Sequence, residues 1–426
     1  MVVALIFAGE VMGNDWPHWR GPFLNGSTDE KNLPSKFSQT ENVAWAVNLP
    51  GSGSSTPIVS GGKVFVSSSD RSNKGSFLAL CFDAQSGEEL WRKELAKDNR
   101  NIPNNNMVAP SPVTDGQTVF FMFGSGDLAA LDYNSNILWS RDIEEGYGNI
   151  TLKFGYSSAP LLYKGKLYIL IQRRNTAYRK PKDDGRLDSF LLAVNPKTGK
   201  NIWKMPRDTD AVNESLDSYS SPIIFQSNGR DEIVIAAGDY VTAQNPETGK
   251  EYWRFGYNPA KEGNWRNVPS PVPGEGLVFA VKPRGGDILA FKPPLSGTLS
   301  DKDLAWRFDG PAPDASTPAY YNGRLYVLDE ARNGKALTCI DPVTGEQLWQ
   351  GKLGGEGPYY GSMTAADDKL YCINQSGEVV IVSADDKEFK IIYRVKLGDE
   401  PCRSSIAVAD GHLFIRTAKK LYCIGD

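Results

Sequence analysis

The segment DPVTGEQLW (341–349) has three near-copies in the same chain: DAQSGEELW (83–91), NPKTGKNIW (195–203) and NPETGKEYW (245–253). Each opens on Asp or Asn, carries a Ser/Thr-Gly pair in its middle and closes on Trp eight positions on. An active site has no need of four copies of itself. A structural unit that buries its faces only against copies of itself does.

The residues ahead of each Trp repeat as well. SSTPIVS (54–60) and KVFVSSS (63–69) read as two short strands about a Gly turn. FLALCFD (77–83) is a third strand, and LWRKEL (90–95) follows the motif's turn as a fourth. Strands of this length separated by Gly-bearing turns make hairpins, and four in succession make a meander. Seven further first-and-second-strand hairpins follow, from SPVTDGQTVFFMF to SSIAVADGHLFIR. Closing aromatics stand at Trp91, Trp139, Trp203, Trp253, Trp306 and Trp349, with Tyr393 in the seventh place. The eighth hairpin runs into LYCIGD without an outer strand, and ENVAWAVNLP (41–50), with Trp45, is a strand without a blade. The expected fold is therefore all-β: an eight-bladed β-propeller of four-stranded antiparallel blades, its ring closed by the strand around Trp45. In it Trp45 and its counterparts clasp adjacent blades, Gly takes the positive φ of the turn, and the leading Asp or Asn binds the turn backbone.

Bulk properties narrow the function. The chain has 426 residues and a formal net charge of −4, which argues against a nucleic-acid partner. Two histidines, His18 and His412, poorly supply a histidine metal centre or a Ser-His-Asp triad. Five scattered cysteines form neither a disulfide framework nor a Cys-x-x-Cys zinc site. No metal ligands are expected. The opening MVVALIFAGEVMGND is too short for a span. It reads as the remainder of a signal peptide over 1–13, with Val11-Met12-Gly13 as its cleavage site, the alternative for a segment without a basic n-region being a buried N-terminal strand. An arm over 14–41 and a propeller over 42–426 follow, and the protein is expected to be periplasmic or secreted, and monomeric.

Hairpin parity sorts the loops onto two faces. The first-to-second and third-to-fourth turns are short and uniform. The second-to-third loops and blade connections are long and irregular, and such loops on a rigid scaffold usually carry binding. Arg71, Arg173, Arg174, Arg284 and Arg332 occupy corresponding second-to-third loops. Tyr156, Tyr219, Trp265, Tyr359 and Tyr360 stand just before inner strands, near the expected channel mouth. Arginines suit carboxylates and aromatic rims suit flat rings or sugars. The competing reading is that Asp70, Asp127, Asp287, Asp329 and Glu330 pair with these arginines on a solvated face.

The Asp/Asn-x-x-(Ser/Thr)-Gly-x-x-x-Trp repeat resembles the tryptophan-docking motif of the pyrroloquinoline quinone (PQQ)-like propeller repeat, over about residues 42–426. That family includes quinoprotein alcohol and glucose dehydrogenases and the lipoprotein of the outer-membrane β-barrel assembly machine. DWPHWRGPFLNGS (15–27) is similar to the opening of exported planctomycete members. The resemblance implies the propeller, with PQQ and Ca²⁺ as cofactors if the enzymatic branch applies. No adjacent cysteines, no Cys-x-x-Cys-His haem site and no lipobox Cys accompany it, and the family's calcium ligands and catalytic Asp find no match. The reading is an exported, non-catalytic scaffold that binds a protein or polymer through its long-loop face, with no catalytic residue assigned. The alternatives are a PQQ-dependent dehydrogenase or PQQ binder, and a carbohydrate-binding propeller in which Trp265, Tyr359 and Tyr360 form one coplanar strip.

Overall fold

The four-strand unit is built around its turn. Asp341 Oδ1 accepts hydrogen bonds from the backbone N–H groups of Val343 (2.9 Å) and Thr344 (3.0 Å). Asn245 Oδ1 does the same for Glu247 and Thr248. Gly87, Gly199, Gly249 and Gly345 follow at φ of +67° to +77°, where a Cβ is strained. The strand that leaves this turn alternates, as in QLWQGK with only its Trp turned fully inward. The two preceding strands are apolar on both faces and buried throughout, as in LVFAV and ILAF. Such strands require a neighbour on each side, and the ring supplies it.

The computed structural model describes residues 15–70, 75–97, 100–174, 188–227, 229–330, 334–385 and 387–425. Eight sheets succeed one another along the chain, each a four-stranded antiparallel meander at its core. The first blade holds Ile58–Ser60, Lys63–Asp70, Ser76–Asp83 and Glu89–Lys97. The eighth holds Ala407–Ala409, His412–Arg416 and Lys420–Ile424 and takes its outer strand, Val43–Asn48, from the start of the chain. There Trp45 stands opposite Cys423. The ring is closed as expected.

The register explains three of the five cysteines. Across each outer pair the docking Trp faces a small residue: Cys81, Ala130, Ala193, Ala243, Ala290, Cys339 and Cys423. A larger side chain there would compete with the indole for space. In the seventh blade Ile381 faces Tyr393 instead. All five cysteines are buried and free.

One blade junction departs from the repeat. After Ile288–Phe291 the turn motif is replaced by KPPLSGTLSDKD, and Gly297–Leu299 adds a fifth strand, parallel, to the fourth blade. Trp253 beside it is fully buried, stacks on Phe291 (5.1 Å, 28°) and gives its N–H to Glu232 Oε2 at 2.8 Å.

Residues 15–42 cross the short-turn ends of the inner strands. Trp16 bridges Val59, Pro17 O accepts from Thr114, Asn25 O from Tyr320, and Gly26 O from Ala365. Glu30 Oε2 accepts from Gly411. Arg20, fully buried, gives its guanidinium to the carbonyls of Met363 (3.0 Å), Asn25 (3.1 Å) and Pro318. Burial pushes its pKa down to about 9, and holds the imidazole of His18 neutral, with a pKa lowered to about 3. The apolar stretch 1–13 lies outside the described residues.

Candidate binding site

The start of each inner strand carries a residue facing the central channel: Thr56, Ser111, Ala159, Ser221, Ser270, Thr317, Ser362 and Ser405. Each hydroxyl accepts from the backbone N–H of its neighbour. The bonds run Ser221 N to Ser270 (2.8 Å), Ser270 N to Thr317 (3.0 Å), Thr317 N to Ser362 (2.9 Å), Ser362 N to Ser405 (3.1 Å) and Ser405 N to Thr56 (3.0 Å). Thr56 N continues to Ser111 and Ala159 N to Ser221, both at 2.8 Å. Ala159 alone interrupts the belt. These bonds join blade to blade at the axis, as the Trp indoles do at the rim. Trp19, from the arm, lies against the belt at the short-turn end.

Two positions before each belt residue lies the mouth: Ser54, Ala109, Ser157, Tyr219, Val268, Ala315, Tyr360 and Arg403. With Asn104, Asn105, Phe154, Arg266 and Gln375 they line a recess of about 430 Å³ that opens on the long-loop face. Its only ionic groups among the described residues are two guanidiniums. Arg266 pairs with Asp314 (2.8 Å) and Glu214 (3.3 Å) and lies 5.6 Å from the centre of the Phe154 ring. Arg403 gives Nη1 to the carbonyl of Asn104 and lies 5.9 Å from the centre of the Tyr360 ring. Burial lowers its pKa.

Beside the recess runs a charged network. Asp217, with no side-chain exposure, pairs with Arg174 at 3.0 Å and accepts from the Tyr219 hydroxyl (3.2 Å) and Lys153 N (3.3 Å). Its pKa is raised to about 7, mainly by burial and against the pull of Arg174. Glu214 gathers Lys153, Arg266 and Arg284, which hold its carboxyl below the usual range despite its partial burial. Glu330, buried, receives the N–H of Asp314 on both oxygens (3.1 and 3.0 Å), and burial raises its pKa to about 7.

The residues marked from sequence separate accordingly. Tyr219 and Tyr360 line the mouth. Tyr156 and Tyr359 lie in the core, at 1% and 0% exposure, and face no recess. Each stands one residue before a mouth position, Ser157 or Tyr360, so its ring turns to the opposite side and joins the interblade core. Trp265, half-buried, donates to Glu262 (2.9 Å) beneath Lys282. With Tyr359 buried, the coplanar strip of the carbohydrate reading is not assembled. Arg173 is buried against Phe190 and donates to Gly148 O. Arg174 and Arg284 belong to the network, Arg284 donating to Asn264 O at 2.8 Å. Arg71 and Arg332 lie outside the described residues, as does most of the 173–186 insertion. Arg403, Arg266 and Phe154 were missed. Aligning the eight blade starts on the belt column would have exposed Arg403 as the one cation in the mouth column.

Comparison with known proteins accords with this architecture. A family model described as outer membrane protein assembly factor BamB matches residues 35–178, 237–388 and 333–424. Polyvinylalcohol dehydrogenase of a Pseudomonas species is 26% identical over 346 residues, 73% of this chain and 46% of that protein. Tetrathionate hydrolase of Acidithiobacillus ferrooxidans is 26% identical over 204 residues, 46% of this chain and 33% of that protein. The chain thus spans between a third and a half of the length of these relatives. Among solved structures, a europium-containing methanol dehydrogenase superposes with TM-score 0.71 at 11% identity, covering 95% of this chain and 90% of that one. BamB from Moraxella catarrhalis superposes with TM-score 0.59 at 12% identity, covering 89% and 96%. Both likenesses are of fold. No helix among the described residues is long and apolar enough to cross a membrane.

Proposed function

The chain belongs to the family of the outer membrane protein assembly factor BamB, and from that premise we propose that it is an exported, non-catalytic scaffold that binds a partner protein or polymer through its long-loop face. The observation that carries this is the polarity of the channel. The chain's own arm covers one end, with Trp19 against the hydroxyl belt, while the other end is a broad recess of aromatics, amides and two guanidiniums. A recess open to the surface and framed by irregular loops suits a macromolecular partner.

A second reading, a PQQ binder or dehydrogenase, is favoured by the relatives named as dehydrogenases and by the Tyr360 ring beside Arg403. The residues fit the group only in part. Tyr360, Phe154 and Arg403 suit a carboxylated ring. Among the described residues, however, no three of His, Cys, Asp and Glu converge as donors for a metal ion, and no carboxylate lines the recess to act as a base. To a calcium ion the recess lining offers amide, hydroxyl and carbonyl oxygens but no carboxylate.

Calorimetric titration with PQQ, with and without Ca²⁺, and a dye-linked assay of alcohol and aldose oxidation test the two readings. The scaffold reading expects neither calcium-dependent heat nor turnover. Calcium-dependent micromolar binding together with oxidation would replace it. A photo-crosslinker at Trp265 should capture a defined partner in the source cell, whereas one at Lys164, on the short-turn face, should not.

A further inference from the structure

We infer that Arg403 is a carboxylate receptor, and that the occupant of the channel mouth is an acidic peptide segment of a partner chain, with an aromatic or apolar side chain beside its carboxylate. This deepens the scaffold reading and rests on it.

The inference begins with an imbalance of charge. The whole chain carries more carboxylates than basic groups, 51 against 47, yet the ionic lining of the recess is cationic only. One of its two arginines is answered within the protein: Arg266 holds Asp314 and Glu214. Arg403 is not. Among the described residues no carboxylate pairs with it, its Nη1 meets only the Asn104 carbonyl, and its Nε is shut away from solvent without an acceptor. Arg403 is half-buried, so its guanidinium is held partly out of water with no counter-ion beside it, which carries a cost. A carboxylate entering the recess would relieve that cost in a medium of reduced dielectric, where the pair is strong. The planar fork favours such a bidentate partner, and the Tyr360 ring fixes the plane of approach.

The rest of the recess describes the rest of the ligand. Tyr360, 41% exposed, offers its ring to an apolar side chain, with Phe154 and Tyr219 completing the aromatic wall of the recess. The amides of Asn104, Asn105 and Gln375 can both donate and accept, as a peptide backbone requires. A recess of about 430 Å³ holds one or two side chains, not a folded domain, and its open rim lets the chain continue outward. A free aromatic carboxylate shares the chemistry of the anchor but has no use for the amide rim.

The test uses the full chain and fluorescence anisotropy with a labelled peptide of alternating Glu and Phe. A second peptide replaces Glu with Gln, and benzoate serves as the small-molecule arm. The Glu peptide should bind, and the Gln peptide should bind roughly tenfold or more weakly. Arg403→Gln should lower affinity for the Glu peptide by a similar factor without lowering the melting temperature. Arg307→Gln, on an exposed outer strand, matches the charge change and should leave affinity within about twofold. Equal binding of both peptides, equal loss in Arg307→Gln, or no loss in Arg403→Gln would overturn the inference. Benzoate binding that depends on Arg403, without peptide binding, would assign the receptor to a small molecule and overturn the peptide occupant. If the Trp265 crosslinker still captures its partner in Arg403→Gln, the inference about Arg403 fails while the scaffold reading stands.

Discussion

The indole of Trp306 lies on Gly345 of the next blade and donates its N–H to the carbonyl of Pro342 at 2.8 Å. Trp45 relates to Gly87 and Ala84 in the same way, and Trp139 to Gly199 and Pro196. The motif's Trp and the motif's Gly are thus partners, but across a blade junction. A Cβ at Gly345 would come within 2.7 Å of Trp306, on a backbone already at φ +77°. Gly345→Ala should destabilise the fold by about 2–4 kcal/mol, combining left-handed strain with overpacking. Gly323, at φ +69° with open space around it, supplies the control. Gly323→Ala should cost only the strain, about 1–2 kcal/mol. Urea denaturation of the two variants checks the difference, and equal losses would remove the docking role from Gly345.

The belt at the axis makes a second prediction. Ser362 Oγ accepts the Thr317 N–H at 2.9 Å, and both residues are buried. Ser362→Ala leaves that N–H without its acceptor and should cost about 1–3 kcal/mol. Ala159→Ser would place a hydroxyl at the one gap in the belt and should stabilise by up to about 1 kcal/mol. Thermal unfolding of both variants reads the two signs, and a neutral Ser362→Ala would mean that water replaces the hydroxyl.

These couplings show what a repeat makes legible. Trp45 and the eight hairpins were readable because each blade must meet the next through the same contacts, so the geometry is written eight times. The fifth strand at Gly297–Leu299 was not, since it occurs where KPPLSGTLSDKD replaces the repeated turn and Trp253 turns to Glu232. The mouth was partly readable. Tyr219 and Tyr360 stand in a repeated column. Arg173 and Arg174 looked like surface cations, but carbonyl and carboxylate partners draw them inward. Arg403 was hidden by its ordinary surroundings in sequence, PCRSSI. Its distinguishing feature is that no carboxylate among the described residues pairs with it, which no local pattern records.

Glu330 ties stability to pH. Its folded pKa, about 7, lies above the ordinary glutamate value of 4.5, chiefly through burial. The native state therefore holds a proton that the unfolded chain has released between about pH 4.5 and 7. The stability this proton confers is complete below about pH 4.5 and is lost as pH rises through 7. Glu330→Gln keeps an oxygen for the Asp314 N–H and removes the titration. Stability relative to the parent should therefore improve as pH rises from 4.5 to 7, and level off above. Denaturation midpoints of both proteins across that range decide it. A difference that stays flat with pH would mean that Glu330 is ionised in the fold.

The final prediction concerns the arm. Arg20 joins it to the ring through the carbonyls of Met363 and Pro318, on the seventh and sixth blades, and through its own Asn25. Gly26 sits at φ +85°, and a Cβ there would come within 2.0 Å of Arg20 Nη2 and push the guanidinium off its carbonyls. Charged hydrogen bonds of this kind are worth about 1.5–3 kcal/mol each, and their loss leaves buried carbonyls unmet. Arg20→Met fills the space of the stem but supplies no donor. It should loosen the arm before it unfolds the propeller, since the Trp45 strand is held separately by its pairing with Lys420–Ile424. Limited proteolysis should then cut between residues 15 and 42 while the ring stays folded, and Trp19 should become accessible to a fluorescence quencher. Protection equal to the parent would show that the backbone bonds of Trp16 with Val59, and of Gly26 and Thr28 with Ala365, hold the arm without Arg20. Cooperative loss of the whole fold would instead make the arm a structural part of the ring.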